Sequence, residues 1–148
     1  GRLLTENGLT VTTMESCTGG LIASALTEVP GSSAYYKGGF IAYSNESKVV
    51  AGVESQLIQR CGAVSTEVAE AMAEAARQQL GADIGVATTG VAGPEELEGK
   101  PAGVVFIGMA ESREKTSLRA YYPLGRARVR SLATVHALFL LRQKLLSI

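Results

Sequence analysis

The chain of 148 residues has a single histidine, His136, which argues against a Ser-His-Asp triad and against a histidine-rich zinc site. Its two cysteines, Cys17 and Cys61, form no CxxC pair and no Cys/His cluster, so free thiols are the expected state. Net charge is also missing: fourteen basic residues balance fourteen acidic ones, and no overall field would draw the protein to a nucleic-acid backbone or an anionic membrane. No apolar run approaches the roughly 20 residues of a membrane span, residues 1 to 20 lack a signal-peptide pattern, and no low-complexity tract suggests a linker. These absences lead us to expect a cytoplasmic protein with a small-molecule ligand and no nucleic-acid or membrane partner. A chain of this length buries about 70% of its unfolded surface around one core, so residues 1–148 are read as a single domain.

What is present is an alternation of strand and helix patterns. Residues 10 to 15, TVTTME, are β-branched and strand-like, and SCTGG follows before Leu21, Ile22, Ala25, Leu26 and Val29 recur at helical spacing. A strand is expected within 32 to 43, ending in FIAY, and Asn45 could cap a short helix through Val50. The run from Ser65 to Leu80 places Val68, Met72, Ala75, Ala76 and Leu80 on one face, with Gly81 as the stop. Residues 84–88 and 103–110 are continuous and apolar, as in strands covered on both faces, whereas 117–122 alternate as at an edge. A long helix over 126–147 is predicted to bury Val129, Leu132, Ala133, His136 and Leu140. The implied fold is a three-layer α/β/α sandwich with a mainly parallel or mixed sheet.

Four clusters could carry chemistry. In ESCTGG, Ser16 stands where backbone N–H groups at a helix start would face an anion, although Ser16 or Thr18 could equally be a cap. In YSNESK, Tyr43 and Lys48 could converge on one point or be ordinary packing and surface residues. The glycines of TTGVAGP permit close ligand approach or a plain strand exit. In GRARVR, Arg126 and Arg130 oppose the helix dipole unless an anion sits there, with a solvated basic turn as the alternative. Cys17, at a helix N-terminus, is a competing nucleophile, and His136 is read as a packed core residue.

Taken together, ESCTGG, GGFIAYSNESK, GAVS, TGVAGP, KPAG and the closing RxxVR resemble the CinA C-terminal domain family, which includes the nicotinamide mononucleotide amidohydrolases. The resemblance covers nearly the whole chain. It implies Ser16 as nucleophile, Lys48 as its proton acceptor and Tyr43 as an orienting or relaying group. It further implies a nucleotide pocket formed by Thr18, Gly19, Gly20, Thr89, Gly90, Arg126 and Arg130, with no metal or organic cofactor. The implied reaction is hydrolysis of the nicotinamide mononucleotide carboxamide to nicotinate mononucleotide and ammonia.

The chain departs from the family pattern in three places. Glu95, Glu96 and Leu97 follow GP where a glycine pair is usual, PAG at 101–103 replaces PVG, and the chain starts late within the usual first helix. Of the longer members' N-terminal domain, which resembles molybdopterin-binding proteins, nothing is expected here. The added acidic charge keeps a second function in view, a non-catalytic nucleotide-binding or regulatory module of a competence/damage-inducible protein. The apolar residues within 139–146 are expected to provide a homo-oligomer interface.

Overall fold

A computed structural model describes residues 1–148. The elements in chain order are α1 (Arg2–Asn7), β1 (Val11–Glu15), α2 (Leu21–Thr27), a 3-10 turn (Ser32–Ala34), β2 (Tyr36–Ile41), α3 (Asn45–Val50), α4 (Ser55–Cys61), α5 (Thr66–Leu80), β3 (Ile84–Gly90), β4 (Val104–Ala110), β5 (Lys115–Tyr121) and α6 (Arg126–Leu146). The strands form one sheet in the order β2-β1-β3-β4-β5, with β2, β1 and β3 parallel and β4 and β5 antiparallel. Helices α3, α4 and α5 cover one face of the sheet, and α1, α2 and α6 cover the other. The α/β/α sandwich with a mixed sheet expected from the pattern is the fold observed.

Burial along the strands follows from their places in the sheet. The inner strands β1, β3 and β4 are buried almost throughout, while the edge strands β2 and β5 alternate or lie largely exposed. Ile84, Val86, Val105 and Ile107 point toward α6 with Val129, Ala133 and Leu141, whereas Ala87 and Ala110 point toward α5 with Val68, Met72, Ala73 and Ala76.

The α5 side is held at unusually close range. A Cβ on Gly85 would lie 2.0 Å from the Ala73 carbonyl oxygen, and one on Gly108 would lie 2.1 Å from that of Ala69. Helix α5 therefore rests its backbone on the strands, and alanines fill the remaining contact. Ser65 caps α5 by accepting a hydrogen bond from the Val68 N–H, and Gly81 ends it in the left-handed conformation.

Two local expectations are revised. Helix α4 follows no amphipathic pattern long enough to read and is revealed by packing of Ile58 into the α5 side. In α6 the buried stripe is Val129, Ala133, Ala137, Leu141 and Leu145, with Thr134 beside it, rather than the set that included Leu132 and Leu140. The small side chains of Ala133 and Ala137 let the helix approach the sheet, which rotates Leu132, Val135 and Phe139 outward. His136 is half-buried, its Nδ1 2.5 Å from the Tyr122 hydroxyl.

The α5 contact predicts the cost of adding one methyl. Gly108→Ala forces main chain apart and is expected to destabilise the fold by about 3 kcal/mol, the upper end of typical overpacking. Chemical denaturation measures this, and a midpoint equal to that of the parent would contradict it.

Candidate active site

The site forms at the carboxyl ends of the parallel strands β1 and β3, where the strand order reverses and open α/β sheets leave a crevice. Strand alternation does the first part of the work. Glu15, the last residue of β1, points to the α2 side, so Ser16 turns to the α3 side.

The Glu15 carboxylate is fully buried and caps α2 from across the turn. It accepts hydrogen bonds from the N–H groups of Gly20 (3.0 Å), Ile22 (3.1 Å) and Ala23 (2.8 Å), and from the Thr18 hydroxyl (2.6 Å). A negative charge at a helix N-terminus is favourable, and these bonds satisfy amides that would otherwise be orphaned. The cap thus comes from Glu15 and not from Ser16 or Thr18, which leaves the Ser16 hydroxyl free for other contacts. Thr18 also sits 2.7 Å from the Thr88 hydroxyl, and the Ser16 N–H donates to the Thr88 carbonyl at 2.9 Å, tying the turn to β3.

Lys48 approaches Ser16 from α3. Ser44 caps that helix by accepting from the Ser47 N–H, and Lys48 in its last turn folds inward until it is only 2% exposed. Its Nζ lies 3.1 Å from Ser16 Oγ and donates to the carbonyl oxygens of Ala42 (3.0 Å) and Tyr43 (3.1 Å). Burial drives the Lys48 amine below the ordinary lysine value, while Cys17, Glu98 and Glu46 act in the opposite direction. The Ala42 and Tyr43 carbonyls and the Ser16 hydroxyl are thus the three polar partners of the amine.

Cys17 is a poor rival for the nucleophile. Burial pushes its thiol up to about 11, which keeps it protonated at neutral pH. The N–H groups of Cys17 and Thr18 donate to no acceptor in the protein, and neither do those of Ala92 and Gly93. Oriented amides of this kind are available to a developing oxyanion or a bound anion.

The cleft holds about 390 Å³ and is lined by Ser16, Cys17, Tyr43, Asn45 and Lys48 on one side. The opposite wall comprises Ala63, Val64, Thr89 to Glu95, Leu97 and Glu98, with Arg126 at the rim. A comparably large hollow between β5 and the end of α6 contains none of these groups. No group of three or more His, Cys, Asp or Glu side chains converges as a metal site would require.

The residues singled out in the sequence separate into two groups. Ser16, Lys48, Tyr43, Thr89, Gly90 and Arg126 line the cleft, whereas Thr18, Gly19, Gly20 and Arg130 lie behind the nucleophile turn. Tyr43 touches the Ser16–Lys48 pair through its backbone carbonyl, while its exposed hydroxyl accepts from Arg126 at 3.0 Å. Arg126 also donates to the Gly93 carbonyl at 2.8 Å, spanning the cleft mouth. Arg130 donates to the carbonyls of Cys17 (3.1 Å) and Thr18 (3.2 Å), bracing the turn from α6. Thr89 donates to the Ala63 carbonyl at 2.7 Å, so its hydroxyl joins β3 to the opposite wall. Glu95 lines the mouth and Glu96 does not. Glu15, Asn45, Ala63 and Val64 stand inside the strings ESCTGG, YSNESK and GAVS without an assigned site role, and Glu98 lies outside every string. Only Glu15 carried a usable signal, an acid immediately before a glycine-rich helix start.

An α/β sandwich with a buried serine–lysine pair at its switch point is the class this geometry defines. The chain belongs to the CinA C-terminal domain family, whose model matches residues 1–145. A CinA-like protein of Geobacter metallireducens is 45% identical over 148 residues, which span 99% of this chain and 36% of that protein. A CinA-like protein of Chlorobium phaeobacteroides is 51% identical over 121 residues, 80% of this chain and 29% of that one. The chain thus spans about a third of the length of these curated relatives. Among solved structures, the competence damage-inducible protein A of Klebsiella pneumoniae superimposes with a TM-score of 0.94 at 34% identity, covering 97% of this chain and 91% of that one. The competence/damage inducible protein CihA of Agrobacterium tumefaciens gives 0.85 at 38% identity, with 94% and 87% covered.

The Glu15 cap predicts a stability effect separable from chemistry. Glu15→Ala leaves three amides without their acceptor and is expected to cost about 3–5 kcal/mol, on the scale of breaking a buried charged network. Equilibrium unfolding reads this directly, and a change below about 1 kcal/mol would show that water replaces the carboxylate.

Proposed function

We propose that the domain hydrolyses the carboxamide of nicotinamide mononucleotide, giving nicotinate mononucleotide and ammonia. The observation that carries this reading is the buried Lys48 amine 3.1 Å from the Ser16 hydroxyl in a mononucleotide-sized cleft. A hydroxyl is a weak nucleophile, and a neutral lysine in hydrogen-bond reach is one of the few groups able to activate it without histidine.

In the first half-reaction the Ser16 oxygen bonds to the carboxamide carbon while its proton passes to Lys48 Nζ. The unpartnered Cys17 N–H, whose residue lines the cleft, is the best-placed donor for the oxyanion. Collapse breaks the C–N bond, Lys48 returns the proton to the leaving nitrogen, and ammonia departs from an ester on Ser16. A water molecule then attacks the ester, loses a proton to Lys48 and regenerates the hydroxyl as the acid leaves. Tyr43 contributes its carbonyl to keep the amine oriented. Thr89, Gly90 and Arg126 bind the nucleotide, with Arg126 in position for the phosphate, while Thr18, Gly19, Gly20 and Arg130 hold the turn that presents Ser16.

Ser16→Ala and Lys48→Ala are each expected to remove most ammonia release while leaving the circular dichroism spectrum unchanged. Release at near-parent rates from either variant would refute the pair, and nucleotide binding by a parent that releases no ammonia would favour the regulatory-module reading.

The lowered lysine also sets the pH response. The base must be uncharged, so kcat/KM should rise with pH through the Lys48 ionisation and level off above it. A half-maximal point below the ordinary lysine value of about 10.4 is expected from a pH profile. A rise centred at or above that value would contradict the role of burial.

Arg126→Ala removes one charge-assisted phosphate contact, worth about 1.5–3 kcal/mol, and is expected to raise KM by roughly tenfold or more with kcat largely retained. Nicotinamide riboside, which lacks the phosphate, should show little sensitivity to this change. Equal losses for riboside and mononucleotide would remove the phosphate role.

A further inference from the structure

We infer that Glu98 is a positioning residue that latches the far wall of the cleft and thereby sets substrate affinity, an inference that rests on the hydrolase reading for its kinetic part alone. Glu98 is the one non-glycine residue with positive φ, at 53°, in a tight turn closed by reciprocal backbone hydrogen bonds between Leu97 and Lys100. A side chain in this conformation is strained, and such strain persists where surrounding contacts hold it in place. Here one carboxylate oxygen accepts from the Ala63 N–H at 2.8 Å and the other from the Val64 N–H at 3.0 Å, with the Lys100 ammonium 4.0 Å from the second.

The surroundings of that carboxylate are shaped to admit it. A Cβ on Gly62 would lie 2.5 Å from Glu98 Oε2 and would displace the carboxylate from the 62–64 segment, and the φ of 81° at Gly62 itself favours glycine. The same segment is held from its other side by Thr89, which donates to the Ala63 carbonyl, and by Ser65, which donates to the Gly62 carbonyl at 2.8 Å. Ala63, Val64, Leu97 and Glu98 all line the cleft opposite Ser16 and Lys48. Two loops far apart in sequence thus become one rigid wall through a single carboxylate, which touches neither Ser16 nor Lys48.

Amide hydrogen exchange and steady-state kinetics on Glu98→Ala, Glu98→Gly and Glu98→Gln test this. Loss of one hydrogen bond to a charged acceptor corresponds to about tenfold faster exchange, so the Ala63 and Val64 amides should each speed up by at least that factor in the Ala and Gly variants. In Glu98→Gln, which keeps one acceptor oxygen, one of the two should remain protected. Glycine relieves the backbone strain without restoring the latch, so Glu98→Gly should melt above Glu98→Ala and still show both exposed amides. KM for nicotinamide mononucleotide should rise about tenfold in the Ala and Gly variants, with kcat and the rate of Ser16 labelling by phenylmethylsulfonyl fluoride kept within about threefold on the pH plateau above the Lys48 ionisation, where loss of the Glu98 charge no longer changes how much of the amine is neutral. Parent-like protection of both amides would overturn the latch whatever the substrate proves to be. Exposed amides with unchanged KM would overturn its kinetic role, while a parent without ammonia release would strike the hydrolase reading and leave the exchange result standing.

Discussion

The buried carboxylate of Glu15 is the constraint on which the site is built. It ends β1, faces away from the cleft and takes up the free amides at the start of α2, so the turn between strand and helix has its polar groups satisfied on one side. Because a strand alternates its side chains, the next residue must emerge on the opposite side. Ser16 is therefore delivered to the cleft, and the amide of Cys17, which lines the cleft beside it, has no acceptor in the protein. Arg130 strengthens the arrangement from α6 by gripping the two carbonyls of the same turn.

The second requirement is dryness around Lys48. The amine is withdrawn from water, and its two carbonyl acceptors belong to the β2 exit, so its position is set by main chain. Electrostatic help from a neighbouring cation is not what lowers it. Arg130 is committed to the carbonyls behind the nucleophile, and burial supplies the effect. The opposing influence of Glu98 shows how the far wall also touches the electrostatics of the base.

Much of this was legible in the amino-acid order. The β-branched and apolar runs marked the strands, the Ser65 cap and Gly81 stop bounded α5, and the ESCTGG and YSNESK strings selected the two groups that meet. The α6 stripe was misjudged because periodicity alone cannot tell which alanines bring a helix close to a sheet. The far wall was legible only in part, since TGVAGP and GAVS contain Thr89, Gly90, Ala63 and Val64 whereas Glu98 stands in none of the strings. Ala63, Val64 and Glu98 are joined by contacts to main chain, and hydrogen bonds to backbone amides impose little on residue type at the amide itself. Thr18, Gly19 and Gly20 were grouped with the pocket because they adjoin Ser16 in sequence, yet the turn carries them behind it.

The close seating of α5 on Gly85 and Gly108 has a consequence for how this fold tolerates divergence. On that face the interlayer distance is fixed by peptide carbonyls resting on Cα atoms, so the room available to side chains is capped from the start. On the α6 face no carbonyl rests on a strand glycine in this way, and away from Ala133 and Ala137 the contact is made by Val, Leu, Ile and Met side chains, of which one can grow as another shrinks. Sequence drift in the interior thus has more room in the α1–α2–α6 layer. On the layer that carries Lys48, the two glycine positions under α5 admit no side chain, while Val68 and Met72 pack around them.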